Sequence, residues 1–153
     1  MRIVLQRVAG GAVTAEGKET RTVAAGLAAL VGFRHGDGEK EADYLAAKMV
    51  ELRIFDDDDG NLNRSVLEVG GECLIVPNFT LYANCKKGRR PSFIGSMPPR
   101  QASALFGYFV ETVKSMGVTV QSGVFGANML VDIKNDGPVT IILDSDEIMP
   151  KNS

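Results

Sequence analysis

The chain has 153 residues, a formal net charge of -2, 44% hydrophobic residues and 24% charged residues. These values are ordinary for one globular domain with a single core, and no stretch approaches the roughly 20 apolar residues with which a helix crosses a bilayer, so we expect a soluble protein. The slightly negative charge also excludes a general attraction to nucleic acid, so phosphate binding would require a local basic cluster.

Strands dominate the predicted N-terminal part of the chain. Residues 2–8 and 12–16 are predicted as two strands, and Gly17 and Lys18 then suit a tight turn into a strand over residues 19–24. The continuous apolar run 27–33 predicts a buried strand. Because Gln6 and Arg7 interrupt the apolar start, we expect no secretory signal there and therefore a cytoplasmic protein.

A helix and an acidic turn are predicted next. Residues 36–39 offer a helix cap, and apolar residues at 42, 45, 49 and 52 recur at helical spacing, which predicts a helix over about residues 39–52. The acidic stretch 56–59 resembles a calcium-binding loop, but aligning Gly60 with the glycine of that loop places Phe55 and Val66 at ligand positions. Neither side chain binds calcium, so we expect a solvated turn.

The second half of the chain is predicted to hold one more helix among several strands. A strand over 73–76 is expected to continue through 78–81, and Pro98 and Pro99 begin a helix that Gly117 ends. Further strands are predicted over 118–121, 129–134 and 139–143, and an exposed polar tail follows Asp144. This order predicts an α+β fold, a single domain with a barrel-like β-sheet core and two main helices.

Few side chains suit conventional catalysis. His35 is the single histidine, and its neighbours Arg34 and Asp37 indicate an exposed turn rather than a catalytic dyad. Cys73 and Cys85 lack the spacing of a zinc site, so we expect free thiols. An enzyme with this sequence would therefore need an easy reaction or one assisted by its substrate.

A basic cluster follows an apolar strand in the middle of the chain. Cationic side chains neutralise phosphates, and neighbouring aromatic rings stack on bases, each stacking contact contributing about 1–3 kcal/mol. The cluster is therefore typical of an RNA-binding loop, although a solvated basic turn explains the pattern equally well. The cations are Lys86, Lys87, Arg89 and Arg90, and the neighbouring rings are Phe79, Tyr82 and Phe93.

Gly137 and Pro138 stand directly before the last predicted strand. The simplest interpretation is a turn that sets the entry into that strand. A bond before proline can also be cis, at a cost of about 0.5–1 kcal/mol, and would then direct two carbonyl oxygens in an unusual direction. Such a pair of oxygens would form a rigid wall.

Several ordered blocks together resemble the D-aminoacyl-tRNA deacylase family, also called D-tyrosyl-tRNA deacylase. The resemblance covers residues 1–145, which we expect to form the deacylase domain, with residues 146–153 as a C-terminal tail. The blocks that carry it are residues 1–8, 52–55, 78–83, 86–93, 123–127 and 135–140.

The resemblance implies a homodimer with its active sites at the subunit interface. The bond between Gly137 and Pro138 would be cis and would reach into the partner's site, where its carbonyl oxygens occupy the space that an L-side chain needs. Arg7 would hold this dipeptide in orientation. Substrates would thus be selected by excluding L-residues rather than by recognising one particular D-side chain.

The same resemblance assigns catalytic and pocket residues. Phe79 would contact the terminal adenosine and Thr80 would lie near the ester, but Pro77 and Asn78 replace the usual serine and glutamine. Asparagine keeps the amide and is one methylene shorter, so its hydrogen bond to the substrate would require a backbone shift or a bridging water. Phe125, Gly126, Ala127 and Met129 would line the pocket, although Phe125 and Met129 suit core packing equally well.

The implied activity is hydrolysis of D-aminoacyl-tRNA, with glycyl-tRNA as a second substrate because glycine has no side chain to exclude. The ribose 2′-hydroxyl would assist the attack by water, and backbone amides near Phe79 and Thr80 would stabilise the oxyanion. We expect no cofactor and no metal. Two alternatives stay open: a non-catalytic RNA-binding module that uses the basic loop, and an editing enzyme with a trans Gly137-Pro138 bond that accepts small L-residues.

Overall fold

The computed structural model of the protein describes residues 1–151, which form an α+β fold. Within these residues, the strands are β1 (Arg2–Ala15), β2 (Arg21–Val23), β3 (Gly26–Gly32), β4 (Phe55–Asp56), β5 (Leu62–Arg64), β6 (Glu72–Pro77), β7 (Thr119–Ser122) and β8 (Met129–Asp144). The helices are α1 (Glu39–Glu51), α2 (Pro99–Ser115) and α3 (Ser145–Ile148), and a short 3-10 helix spans Phe79–Tyr82.

The main sheet is barrel-like and is organised around β1. Along its first half β1 pairs with β3, along its second half it pairs with β2, and β8 runs antiparallel beside both halves. The register of β1 against β8 shifts between Gln6 and Gly11, and such irregularities bend a strand and increase its twist. Beyond β3 the sheet continues through β6 and β7 in parallel pairs.

Two apolar clusters lie on opposite faces of the sheet, because successive side chains of a strand point to opposite sides. The larger cluster packs α1 and α2 against the sheet, and Leu45, Met49 and Phe109 are fully buried in it. In the described part of the chain, no helix contributes to the smaller cluster. Its members are Val8, Val13, Val23, Ala28, Leu74 and Val76, with Leu30, Met129, Val131 and Ile133 packed at its edge.

Most predicted elements are confirmed within a residue or two. The buried strand is β3, the first helix is α1, and the second begins at Pro99 and ends before Gly117, whose φ of 94° suits glycine. The acidic stretch is a turn between β4 and β5, where Asp57 Oδ1 accepts hydrogen bonds from the amides of Asp59 and Asn61. Both bonds lower the pKa of the Asp57 carboxyl, and the bond from the Asn61 amide has the largest effect.

Three predictions are wrong. The two strands predicted over 2–8 and 12–16 are one continuous strand, β1, and the two predicted over 129–134 and 139–143 are one continuous strand, β8. Both are continuous because β1 and β8 stay paired on either side of the register shifts. Residues 78–81 turn into the 3-10 helix instead of extending β6. The tail after Asp144 is not simply exposed, since Ser145 is buried and the Tyr44 hydroxyl donates to the Ile148 carbonyl over 3.1 Å.

The two ends of the described chain meet beside α1. The Met1 ammonium group lies 2.7 Å from the Asp37 carboxylate and 2.8 Å from Ser145 Oγ. Arg34 also pairs with Asp146 at 2.6 Å. No helix formed by residues 1–151 is both long enough and apolar enough to cross a membrane.

Candidate functional site

A cavity of about 500 Å³ opens beside the C-terminal ends of β3 and β6. This volume is within the range of small-molecule sites. The sequence-predicted residues Asn78, Phe79, Phe125, Gly126, Ala127 and Met129 all line it. The other lining residues are Val31, Gly32, Phe33, Pro77, Phe93, Ser96, Met97, Pro98, Pro99 and Ala102.

The lining contains no titratable side chain. The buried thiol of Cys73 lies outside it, and burial raises the pKa of that thiol to about 12, which keeps it protonated and unreactive. His35 is an exposed loop residue, as expected, and its Nε2 contacts the Ile94 carbonyl at 2.9 Å. The cavity can therefore bind and orient a reactant, but its own side chains supply neither a strong base nor a thiolate nucleophile.

The turn that carries Phe79 lies against the end of β3 because Gly32 has no side chain. A Cβ at position 32 would lie 2.9 Å from the Asn78 carbonyl oxygen, closer than real Cβ atoms come, and 3.0 Å from Leu81 Cβ, tighter than nine in ten real Cβ contacts. The Asn78 amide also donates to the Val31 carbonyl over 2.8 Å. Close backbone approach at Gly32 thus places the turn on the rim of the cavity.

Asn78 caps the 3-10 helix with its own side chain. Its Oδ1 accepts one hydrogen bond from the Thr80 amide over 3.2 Å and another from the Thr80 hydroxyl. Pro77 has no N–H to donate, and the last bond of β6 to β3 is the one from the Asn78 amide to the Val31 carbonyl. The Asn78 side chain then caps the turn that follows. This is why the chain turns at a point where the residue pattern predicted a strand.

The Asn78 cap determines which backbone amides of the turn have a hydrogen-bond acceptor. The Thr80 amide is already bonded, whereas the Phe79 amide occupies the first position of the turn, where an N–H has no acceptor within the helix. In residues 1–151 no backbone hydrogen bond from the Phe79 amide is found. Of the two amides that the sequence suggested for an oxyanion site, the Phe79 amide is therefore the unoccupied donor.

Thr80 does not line the cavity, and its hydroxyl donates to an amide oxygen rather than to a base. A hydroxyl becomes a good nucleophile only when a neighbouring group accepts its proton. The arrangement therefore gives Thr80 a structural hydrogen bond.

Phe93 and Ser96 complete the rim, and the sequence did not assign them to the pocket. The Phe93 and Phe79 rings form an edge-to-face pair with centroids 5.1 Å apart. The Ser96 hydroxyl donates to the Phe79 carbonyl over 3.1 Å. Neither residue belongs to a periodic pattern, so only the aromatic character of Phe93 offered a local signal.

Gly137 and Pro138 lie on β8, exposed, and do not line the cavity of their own subunit. Their peptide bond is cis, as the resemblance implied, which removes the premise of the editing alternative with a trans bond. Arg7 Nε donates to the Asp136 carbonyl over 3.0 Å, and Arg7 Nη1 donates to the Ile54 carbonyl over 3.0 Å. The guanidinium thus ties the residue before the dipeptide to a separate segment.

The basic cluster forms the tip of a hairpin that leads back to the cavity. Asn84 and Ser92 close this hairpin with two backbone hydrogen bonds of 2.7 and 2.9 Å. Its cations, Lys86, Lys87, Arg89 and Arg90, are exposed, and no salt bridge to them occurs in the described part of the chain. Cations without a salt-bridge partner, on a loop beside a cavity, can attract an anionic ligand.

Comparison with known proteins gives consistent matches over nearly the whole chain. The family model described as D-Tyr-tRNA(Tyr) deacylase matches residues 4–144. A D-aminoacyl-tRNA deacylase of Thermomicrobium roseum is 52% identical over 148 residues, which are 97% of this chain and 96% of the relative. Another, from Carboxydothermus hydrogenoformans, is 52% identical over 144 residues, covering 94% of this chain and 99% of the relative.

Solved structures share the fold. A structure named c-Myc DNA Unwinding Element Binding Protein superposes with a TM-score of 0.88 at 36% identity, over 95% of this chain and 99% of that one. A probable eukaryotic D-amino acid tRNA deacylase has a TM-score of 0.81 at 19% identity, over 93% of this chain and 97% of that one. At that identity the second likeness shows the fold alone.

Proposed function

The chain belongs to the D-Tyr-tRNA(Tyr) deacylase family, and we propose that it hydrolyses the ester of D-aminoacyl-tRNA to free tRNA and a D-amino acid. The observation that carries this proposal is a cavity without titratable groups, lined in part by Phe79, whose amide has no hydrogen-bond acceptor among the described residues. Such a site suits a reactant that is already labile and needs orientation more than acid-base chemistry.

The substrate itself would supply the missing chemistry. The aminoacyl ester stands beside a ribose 2′-hydroxyl, which would assist the attack by water, while the Phe79 amide stabilises the developing oxyanion. Phe79 is 57% exposed and lines the cavity, and its ring would contact the terminal adenosine. Asn78 would contribute mainly by holding the turn, because its Oδ1 is engaged by Thr80.

The chirality filter is proposed to come from a second copy of the chain. Gly137 and Pro138 are exposed on β8, and in the described residues β8 pairs only with β1, so one long strand edge is left open. A homodimer would let this dipeptide enter the partner's cavity, with Arg7 fixing its orientation. Its carbonyl oxygens would exclude L-side chains and leave glycine acceptable, so glycyl-tRNA is a proposed second substrate.

The remaining pocket residues would discriminate only weakly between different amino-acid side chains of the substrate. The ring centroids of Phe125 and Phe106 lie 6.3 Å apart, and Met129 packs on the smaller apolar cluster. Both Phe125 and Met129 therefore contribute to core packing as well as to the cavity wall. Gly126 and Ala127 add little bulk. An apolar wall discriminates by only about 1–3 kcal/mol per methylene, which suits an enzyme that accepts many D-residues.

We further propose that four cations, Lys86, Lys87, Arg89 and Arg90, bind tRNA phosphates. Two further proposals concern the whole chain. Residues 1–145 would form the deacylase domain with residues 146–153 as a tail, and the protein would act in the cytoplasm. The exposed and unpaired state of the four cations supports the first of these proposals. No step of the proposed reaction calls for a cofactor or a metal.

The direct test is release of tyrosine from D-tyrosyl-tRNA and L-tyrosyl-tRNA under matched conditions. We expect rapid release of D-tyrosine, little release of L-tyrosine, and loss of most activity when the terminal ribose carries a 2′-deoxy group and the amino acid a 3′-ester. Equal rates on both isomers would contradict the filter. Binding of tRNA without any release would instead support the non-catalytic RNA-binding module.

A further inference from the structure

The segment after the basic hairpin is attached to the cavity rim at several points. The Ser96 hydroxyl donates to the Phe79 carbonyl over 3.1 Å, and the Ser96 amide donates to the Phe93 carbonyl over 3.0 Å. The Met97 amide donates to the Phe33 carbonyl at the end of β3. Because its backbone is held on both sides, the Ser96 hydroxyl has little freedom to leave Phe79.

Ser96 and Asn78 hold opposite ends of one peptide group. The group between Phe79 and Thr80 receives the Ser96 hydroxyl at its carbonyl oxygen and donates its N–H to Asn78 Oδ1. A peptide group is planar, so two hydrogen bonds at its ends fix its orientation. Only the two backbone dihedrals of Phe79 then separate this fixed plane from the free Phe79 N–H.

We propose that Ser96 is a positioning residue for deacylation, an inference that rests on the proposed function. By fixing the peptide after Phe79, its hydroxyl keeps the Phe79 amide in one orientation at the cavity rim before the substrate arrives. Preorganised donors stabilise a developing oxyanion because they need no reorientation during the reaction. Ser96 lines the cavity and is half-buried, and its bond to the Phe79 carbonyl lies at the cavity rim, exposed to solvent.

The role predicts a separation of kcat from KM in the hydrolysis of D-tyrosyl-tRNA. Ser96→Ala should lower kcat by about tenfold, the scale of one lost hydrogen bond in the transition state, while KM stays within about twofold. Ser96→Thr keeps the hydroxyl and should recover kcat to within about threefold of the original protein. Ser103→Ala, on an exposed face of α2, is the matched control and should leave both constants unchanged.

A second measurement does not depend on turnover. Hydrogen exchange of the Thr80 amide reports whether the clamped peptide is loosened, and Ser96→Ala should speed it while Ser96→Thr and Ser103→Ala do not. Unchanged kcat in Ser96→Ala, or a loss that threonine fails to recover, would overturn the positioning role. Absence of D-tyrosine release by the unmodified protein would overturn both the proposed function and the positioning role of Ser96, whereas unchanged exchange with an active enzyme would overturn the clamp alone.

Discussion

The cavity and the Gly137-Pro138 segment differ in how they are built. The cavity is assembled from the ends of β3 and β6, the turn at Phe79, the loop through Ser96, and the start of α2. The dipeptide belongs to one strand, is exposed, and is tied down chiefly through Arg7 and its neighbours. The first region encloses a cavity, whereas the Gly137-Pro138 segment projects from the surface and lines no part of that cavity.

Under the proposed function, this difference would separate two tasks. The cavity, with its apolar wall and the Phe79 amide, would bind and activate the ester but would not distinguish D from L. The carbonyls of Gly137 and Pro138 would exclude one isomer. Since the two do not meet within one subunit, changes to the cavity should alter turnover, and changes to the dipeptide's support should alter discrimination.

The largest effect is expected from Gly32→Ala. The added Cβ would lie 2.9 Å from the Asn78 carbonyl oxygen and would displace the turn that carries Phe79. We expect kcat on D-tyrosyl-tRNA to fall by about 100-fold and the free energy of unfolding by about 1–3 kcal/mol. Gly107→Ala is the control, because nothing lies within 4 Å of its Cβ and α2 should gain about 0.5–1 kcal/mol. Unchanged turnover in Gly32→Ala would show that the turn is not critical.

A smaller effect is expected from reversing charge on the basic hairpin. Arg89→Glu or Arg90→Glu should raise KM for tRNA substrates by about tenfold at low salt, and the difference should shrink as salt rises because phosphate contacts are screened. D- and L-substrates should be affected alike. Lys18→Glu, at an exposed turn distant in sequence, makes the same charge change and should have little effect. Equal effects of the two changes would indicate general electrostatics rather than a binding loop.

Arg7→Lys should act on discrimination. Arginine donates from two nitrogens to the carbonyls of Asp136 and Ile54, and a single ammonium group cannot reproduce that fork. We expect the ratio of D- to L-tyrosyl-tRNA hydrolysis to fall by about tenfold, with the rate on the D-substrate changed by less than about threefold. Arg53→Lys, whose exposed side chain reaches Asn63, is the control. A preserved ratio would separate Arg7 from the filter.

The smallest effect is expected from Thr80→Ala. The hydroxyl donates to Asn78 and does not line the cavity, so its removal should lower kcat by less than about threefold. Single-turnover release from D-tyrosyl-tRNA measures this directly. A loss of about a thousandfold with binding intact would instead identify Thr80 as a nucleophile and would reverse the division of tasks between substrate and protein.

The elements that the residue pattern predicted well are those with a strong local period. The helical spacing of apolar residues identified α1, the proline pair and Gly117 bounded α2, and the apolar run identified β3. The same blocks of residues indicated the family and the pocket segment around Phe125. The local sequence is enough to predict these elements, because hydrophobic periodicity and helix capping depend on residues that are close in sequence.

The rest was decided by contacts between distant parts of the chain. β1 and β8 became continuous because each supplies the other's hydrogen bonds, and the stretch after Pro77 became a turn because Gly32 admits it and Asn78 caps it. Ser96 meets Phe79 across 17 residues, and Arg7 meets Asp136 across 129. The sequence by itself determined α1, α2, the buried strand and the family, whereas packing decided which amide is free, because a hydrogen bond between distant residues exists only once the backbone has brought its two ends together.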